Sequence, residues 1–566
     1  NPEDIRCIDP CMGSGHILVY LFDVLMQIYE AQGYTKRDAA QSILKNNLYG
    51  LDVDDRAAQM AYFAVMMKAR QYDRRILTRG IVPHVYAIQE SNGINRKQLD
   101  YFGNSLNETK KNTARIQMEK LLDTLVDAKE YGSILQVENC DWDLLYRFVD
   151  DVSMSGQISM NTLHLDDTLI RLKELVKIGQ CLAQKYNVVV TNPPYMSISS
   201  GSGKLSSYIY INYIDTKNDL YSVFIDRCRK FTMPMYFQAM ITQQAWMFTA
   251  LYEKLRIKLT ETTLLDLLQL GSRGFNEISG EVVQTASFVI RNCNTPKYLG
   301  TYVNLTDGNS ESEKEEMFQA RDRLYLAIYE DFYNVPYFSM AYWLSHNALL
   351  RFGKEKLSDF VTPREGMTTA DNDRFLRYWH EVIFEKISTS SRTIEEAKLS
   401  LCKWFPYNKG GANRKWYGNN ELVVNWENNG DEIKNIKDKK TNRIRSHNYN
   451  AKYSFRESGT WTAICSGDIM VRYSNAGALF DSKGASLFAS TTQTLLYVIG
   501  MLNSKVSGVF LKVLSPSYEY KVGHVANVPF LYAEKDKVIS LVKNNIQLSR
   551  QEWNSFEISR EFRRHP

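Results

Sequence analysis

Residues 5–53 run as apolar segment, glycine turn, amphipathic helix, second helix and apolar segment, an order that leaves few folds open. Ile5 to Asp9 reads as a short strand. His16 to Ala31 carries Ile17, Leu18, Leu21, Leu25 and Ile28 at helical spacing. Thr35 is a candidate N-cap for a helix reaching about Asn46. Leu48 to Val53 reads as the next strand, Asp55 to Arg70 as a helix and Val85 to Ile88 as a third strand. A polar, helix-rich insertion follows over about 98–184, then strands at Asn187–Thr191 and Tyr236–Thr242. Strands separated by helices imply an α/β fold, a doubly wound parallel sheet that binds ligands at the strands' carboxyl ends.

The first of those ends carries "IDPCMGSGHIL". Gly13 and Gly15 let backbone amides approach a ligand, with a helix N-terminus just behind. A phosphate loop needs GxxxxGK[ST], which is absent. A dinucleotide site needs a third glycine and an acid about 20 residues on; here Asp52 lies 37 residues after Gly15. The remaining option is S-adenosylmethionine. In that reading Asp9, Pro10, Cys11, Met12, Gly13, Ser14 and Gly15 form the turn, and Asp9 holds the donor's ammonium group. Asp52 and Val53 receive the ribose, and Glu90 faces the adenine amino group. Asp54 and Asp55 read as caps of the following helix. Pro10-Cys11 looks like a nucleophile dipeptide, but a thiolate nucleophile belongs on a separate later strand, so Cys11 reads as structural.

The fourth strand ends abruptly at Asn192-Pro193-Pro194-Tyr195. As punctuation this is an ordinary turn. As chemistry it is a grip on a planar amine. The Asn192 side-chain oxygen and the Pro193 carbonyl can accept an exocyclic amine's hydrogens, favouring a more tetrahedral nitrogen. The prolines fix φ and keep that carbonyl aimed. Tyr195 can stack on the base, and Asn192 stands beside the donor as well. A base inside a duplex must first be flipped out.

Taken together, "DPCMGSGHIL", "YGLDVD" and "VVVTNPPYM" resemble the gamma-class amino-methyltransferases that make N6-methyladenine in DNA. "AIQESN", "NDLYSVFIDRC" and "GFNEISGEVVQTASFVI" are similar to the methyltransferases of BREX phage-defence systems, and to fused restriction–modification enzymes. The resemblance covers nearly the whole chain and implies a Rossmann-like methyltransferase sheet followed by a mixed α+β target-recognition domain. It also implies a loop aromatic packing on the flipped base, for which Phe275 in "GSRGFNEISGE" is the match. The gamma-class pattern normally carries a donor-binding segment before the glycine loop. None precedes it in this sequence, which starts at Asn1 and is expected to be an internal piece of a longer protein.

After about residue 345 the texture changes to Gly, Asn, Trp and Tyr among short strand-like runs. This gives a methyltransferase domain over 1–345, a recognition domain over 346–535 and a helical segment over 536–566. The charge follows that division. Residues 1–350 hold 36 basic and 41 acidic side chains, whereas residues 351–566 hold 33 and 23. A net +10 in the second part fits a polyanion partner. The resemblance makes that partner double-stranded DNA, with other BREX or restriction–modification proteins alongside. The candidate contacts are Arg364, Thr368, Thr369, Asn372 and Arg374, then Lys409, Arg414 and Lys415, then Lys439, Lys440, Arg443 and Arg445. Basic groups serve phosphates, and amides or Arg read base edges.

Eight scattered cysteines show no zinc spacing, so no metal is expected and free thiols in a reducing cytoplasm are. No apolar stretch of about 18 residues suggests a membrane span. The chain is expected to be a monomer. Two other readings stay open: an RNA or protein-glutamine methyltransferase, and a non-catalytic DNA-recognition subunit silent until partners join.

Overall fold

A computed structural model describes residues 1–152, 164–274, 283–438, 440–465, 467–515, 519–532 and 534–562. The chain divides into two compact units, Asn1–Glu330 and Asp331–Pro566.

The N-terminal unit contains strands β1 (Cys7–Asp9), β2 (Leu48–Asp52), β3 (His84–Ala87), β4 (Tyr186–Thr191), β5 (Thr232–Gln243), β6 (Thr263–Gly271), β7 (Thr285–Arg291), β8 (Leu299–Asn304) and β9 (Leu324–Ile328). Its helices are α1 (His16–Ala31), α2 (Lys36–Ser42), α3 (Asp55–Arg70), α4 (Glu108–Thr124), α5 (Ala128–Tyr131), α6 (Trp142–Asp150), α7 (Leu165–Ala183), α8 (Gly203–Asn212), α9 (Leu220–Phe231), α10 (Glu253–Lys258) and α11 (Glu311–Ala320). One nine-stranded sheet runs in the order β3-β2-β1-β4-β5-β7-β6-β8-β9. From β3 to β5 all pairings are parallel. The sheet as a whole is mixed rather than parallel. β7 lies antiparallel between β5 and β6, and β9 antiparallel beside β8. The physical reason is in the connections: an antiparallel neighbour needs no crossover helix, and no described helix separates β6 from β7.

The helices form where the periodicity places them. Leu18, Phe22, Leu25, Met26 and Tyr29 of α1 are buried with Ala61, Val65 and Met66 of α3 in one core cluster. Thr35 caps α2 by accepting from the Asp38 amide. That helix closes at Ser42 and continues as a π-turn over Ile43–Asn47. Asn47, wholly buried, explains the change of winding. Its amide donates to the Pro2 and Ile5 carbonyls, and its oxygen accepts from Tyr29.

The C-terminal unit is built on two four-stranded sheets. One orders β10 (Val361–Arg364), β17 (Ser486–Ala489), β14 (Ser458–Trp461) and β15 (Val471–Ser474). The other orders β11 (Leu376–Tyr378), β13 (Leu422–Asn425), β12 (Trp404–Asn408) and β16 (Leu479–Phe480). Phe375, Phe405, Tyr407, Val424, Trp426 and Phe455 fill the core around the second sheet. The closing helix, Lys535–Trp553, packs on the helix Thr492–Leu502, where a Cβ on Gly500 would meet Val542 at 2.7 Å. Among the described residues no single helix is long and apolar enough to cross a membrane.

Candidate active site

The parallel register brings the carboxyl ends of β1, β2 and β4 side by side. Asp9 ends β1 and is wholly buried. Its Oδ1 accepts from the Cys11 amide at 3.0 Å and from the Thr191 hydroxyl at 2.7 Å. Its Oδ2 is shut from solvent and, among the described residues, accepts nothing. Burial pushes the carboxyl up to about 7, assisted by the nearby Asp52 charge and opposed by the two hydrogen bonds. A buried carboxylate oxygen without a donor is costly unless something cationic completes it, so the turn fits the ammonium group of an amino-acid ligand such as the S-adenosylmethionine methionyl portion.

The turn itself is shaped by Gly13 and Gly15, at φ +51° and +88°. The Gly13 amide donates to Asp52 Oδ2 at 2.9 Å, and Asp52 Oδ1 accepts from the Asp54 amide at 3.0 Å. A Cβ on Gly15 would sit 2.9 Å from the Ala61 Cα, so only glycine lets α1 start this close to α3. Pro10 presents its carbonyl to the Ser133 hydroxyl at 2.5 Å. Cys11 is a free thiol that burial drives well above the usual range, leaving no thiolate to act as a nucleophile. Met12 is buried, with its amide on the Leu51 carbonyl. Asp54 caps α3, accepting from the Arg56 amide, whereas Asp55 pairs with Lys129 at 2.7 Å. Val53 is exposed and lies against Gly132, where a Cβ would meet it at 2.8 Å. Glu90 lines a cavity of about 250 Å³ with Gln89, Lys129, Arg171 and Glu174, and its carbonyl accepts from Arg171.

Beside this turn, β4 ends in the tetrapeptide. Asn192 is exposed and Pro193 buried. Among the described residues the Pro193 carbonyl accepts no hydrogen bond. The Tyr195 hydroxyl donates to Asn192 Oδ1 at 3.0 Å, and its ring meets Tyr221 edge-on at 6.0 Å. The ring is therefore packed and the Asn192 oxygen braced. A carbonyl oxygen has two lone pairs, so Asn192 can still accept an amine hydrogen. Phe275 lies outside the described residues.

Sequence reasoning missed the brace behind these groups. Asp219 caps α9 and accepts from the Met196 amide at 3.2 Å, while the Leu220 amide donates back to the Met196 carbonyl. Two turns further on, the buried Arg227 donates to the carbonyls of Ser133, Leu135 and Leu182, with its guanidinium 3.7 Å from the Phe231 ring centroid. Ser133 in turn holds Pro10. One helix thus fixes both the tetrapeptide's exit and the glycine turn. The stretch "NDLYSVFIDRC" carried the signal, because Asp219 and Arg227 stand eight residues apart on one helix.

In the C-terminal unit many candidate cations have protein partners. Arg374 pairs with Glu432 at 3.1 Å, and Lys409 with the buried Asp481 at 2.9 Å and with Asn372. Arg414 pairs with Glu552 and covers Trp553, and Lys415 donates to the Asn503 carbonyl. Thr369 departs from the expectation most plainly: it is buried, with its hydroxyl on Asn372, because the segment before it is held on both sides, Met367 by the Phe480 carbonyl and Thr368 by the His447 carbonyl. Thr368 joins His447 through backbone and side chain. Arg364 lies over Tyr453, and Arg445 donates to the Ala370 carbonyl. The side chains of Lys440 and Arg443 are exposed, and Lys439 lies outside the described residues.

Residues 46–275 match the family model described as Eco57I restriction-modification methylase. The adenine-specific methyltransferase PglX of Lacticaseibacillus casei (strain Zhang) is 41% identical over 99% of this chain and 47% of its own. The adenine-specific methyltransferase BrxX of Escherichia coli O9:H4 (strain HS) is 33% identical over the same shares. Among solved structures, the type IIL restriction-modification enzyme MmeI in complex with DNA aligns over 99% of this chain and 67% of its own, at 11% identity and TM-score 0.49. The chain spans about half the length of the curated relatives it matches. Over nearly all of its residues the chain is thus similar to part of the adenine-specific methyltransferases PglX and BrxX.

Proposed function

We propose that this chain transfers a methyl group from S-adenosylmethionine to N6 of an adenine turned out of a DNA duplex, in a phage-defence or restriction–modification setting. The observation that carries the reading is the join between the two half-sites. Thr191, which holds Asp9, is the residue immediately before Asn192. An acid oxygen and a Pro193 carbonyl that accept no hydrogen bond among the described residues are thereby held at the ends of neighbouring strands.

When bound, S-adenosylmethionine supplies an activated methyl on a sulfonium, a leaving group that needs no metal and no strong base. Asp9 receives the ammonium group, the Gly13–Gly15 turn admits the backbone approach, and Asp52 and Glu90 receive the nucleoside. Asn192 Oδ1 and the Pro193 carbonyl accept the amine hydrogens, and the methylated amine sheds its extra proton to water. Extruding the base costs a few kcal/mol, least for an already weakened pair. Residues 346–535 act as the recognition domain, closed by the helical segment 536–566, and meet double-stranded DNA and the partner proteins of the system.

The test is tritium transfer from labelled donor to duplex DNA. Transfer by the chain, lost in Asn192→Ala with donor affinity kept, supports the proposal. Transfer to RNA or protein but not DNA overturns the substrate. Calorimetry that finds no donor binding at any DNA concentration favours a recognition subunit silent until its partners join.

A further inference from the structure

Three cations in the C-terminal unit converge on one ring and, among the described residues, have no carboxylate to answer them. Arg364 lies 5.5 Å from the Tyr453 centroid, Lys452 5.4 Å and Arg456 5.6 Å. Among the described residues none of the three is ion-paired, although Arg374, Lys403, Lys409, Arg414 and Lys483 all are. Lys452 and Arg456 are exposed, and Arg364 and Tyr453 half-buried. Each charge stands within about a Debye length of the others, so the cluster repels itself in the free protein.

The support beneath it is rigid. Tyr453 packs on the buried Phe488 at 4.9 Å, and Phe488 on Phe480. The turn carrying Lys452 is tied to the strand carrying Arg364: Asn450 donates to the Glu365 carbonyl, the Thr368 amide donates to the His447 carbonyl, and the His447 amide donates to the Thr368 hydroxyl oxygen. Phe455, at φ +66°, is wholly buried and locks the turn's far end. A solvated face of lysines and arginines has no need of such a mount.

We infer that Arg364, Lys452 and Arg456, set around Tyr453, form the seat for the phosphate backbone of duplex DNA. Duplex DNA places about one charge per 3.4 Å of axis on each strand, so a triad of this size spans successive phosphates. The seat positions the duplex and reads no sequence. It rests on the DNA reading proposed above and goes beyond it by separating phosphate-binding cations from those spent inside the unit.

The experiment is the salt dependence of duplex binding, followed by fluorescence anisotropy on the 566-residue chain. Lys452→Gln with Arg456→Gln should lower the slope of log affinity against log salt by about 1.8, equally for two unrelated duplexes. Lys403→Gln, at a paired cation, should leave the slope unchanged. An unchanged slope in the double variant, with the parent still binding DNA, overturns the seat and leaves the DNA reading standing. A parent that binds no duplex overturns the DNA reading and the seat with it. A slope change seen with duplex RNA alone assigns the triad to another partner and overturns the proposal. Equal melting temperatures show that the variants fold.

Discussion

The two units use buried polarity for different ends. In the N-terminal unit the buried Asp9 and Arg227 and the half-buried Asp219 hold backbone groups; Asp9 belongs to the candidate site, and the other two each stand a step or two from one of its residues. In the C-terminal unit the corresponding groups serve the unit's own cohesion. Asp481 binds Tyr407 and Lys409, and Arg472 reaches the carbonyls of Gly410 and Arg414. A parallel sheet gathers strand ends at one edge, so local motifs become neighbours without further instruction. Two small, mostly antiparallel sheets connected by long loops offer no such edge. There, which cation stays free is settled only by the finished packing.

The sharpest way to break this contrast is Asp9→Asn. If the acid exists to complete a cationic ligand, calorimetry should show donor affinity falling on the order of 100-fold, the worth of a lost charge-assisted bond. Stability should move the other way. In the fold the Asp9 carboxyl titrates near 7, against an ordinary value of 3.8. Between those values the unfolded chain is ionised and the folded chain protonated. The group's contribution is therefore full below about pH 4 and is lost as the pH rises through 7. Asn keeps the acceptor for Cys11 and Thr191 without that loss, so thermal melting at pH 8 should rise. In the parent, donor affinity should be level above pH 7 and fall below it, by up to tenfold per unit, as the carboxyl takes its proton. A variant that loses both affinity and stability would make Asp9 a structural residue like Asp481.

Asp219→Ala should come next, with a loss of about tenfold in kcat, roughly 1.4 kcal/mol in the barrier. Donor affinity should hold, because the glycine turn is braced separately through Ser133 and Arg227. Asp219→Asn, which keeps an acceptor for the Met196 amide, should recover most of the rate. Equal losses in donor affinity and kcat would mean that α9 merely supports the fold.

Much of the N-terminal unit was legible because its signals are local. The α1 and α3 limits follow from periodicity and caps, and the three strand-end motifs name their own neighbours. What escaped was set by distance in the chain. Ser133 reaches Pro10 across 123 residues, a bond no spacing rule anticipates. The antiparallel β7 escaped because an apolar run does not show its direction. In the C-terminal unit the basic excess was visible, but Lys409 lies 72 residues from Asp481 and Arg414 lies 138 from Glu552. Charge composition raised the expectation of a polyanion partner; it could not say which cations were already paired within the unit.

The smallest effect belongs to Arg374→Gln, and its smallness is the point. Arg374 and Glu432 leave 56% and 50% of their side chains exposed, so water screens the pair at 3.1 Å and holding it costs rotamer freedom. The substitution should change stability by less than about 0.5 kcal/mol, a melting shift within roughly 2 °C for a unit of this size. If paired cations are spent, duplex affinity should fall less than twofold at 150 mM salt, with its salt slope unmoved. A fall in slope of about 0.9 would mean that Arg374 leaves Glu432 to neutralise a phosphate. The pairing seen in the free chain would then be a resting state, and the contrast between the units would narrow, since charged groups in both would be held ready for a ligand.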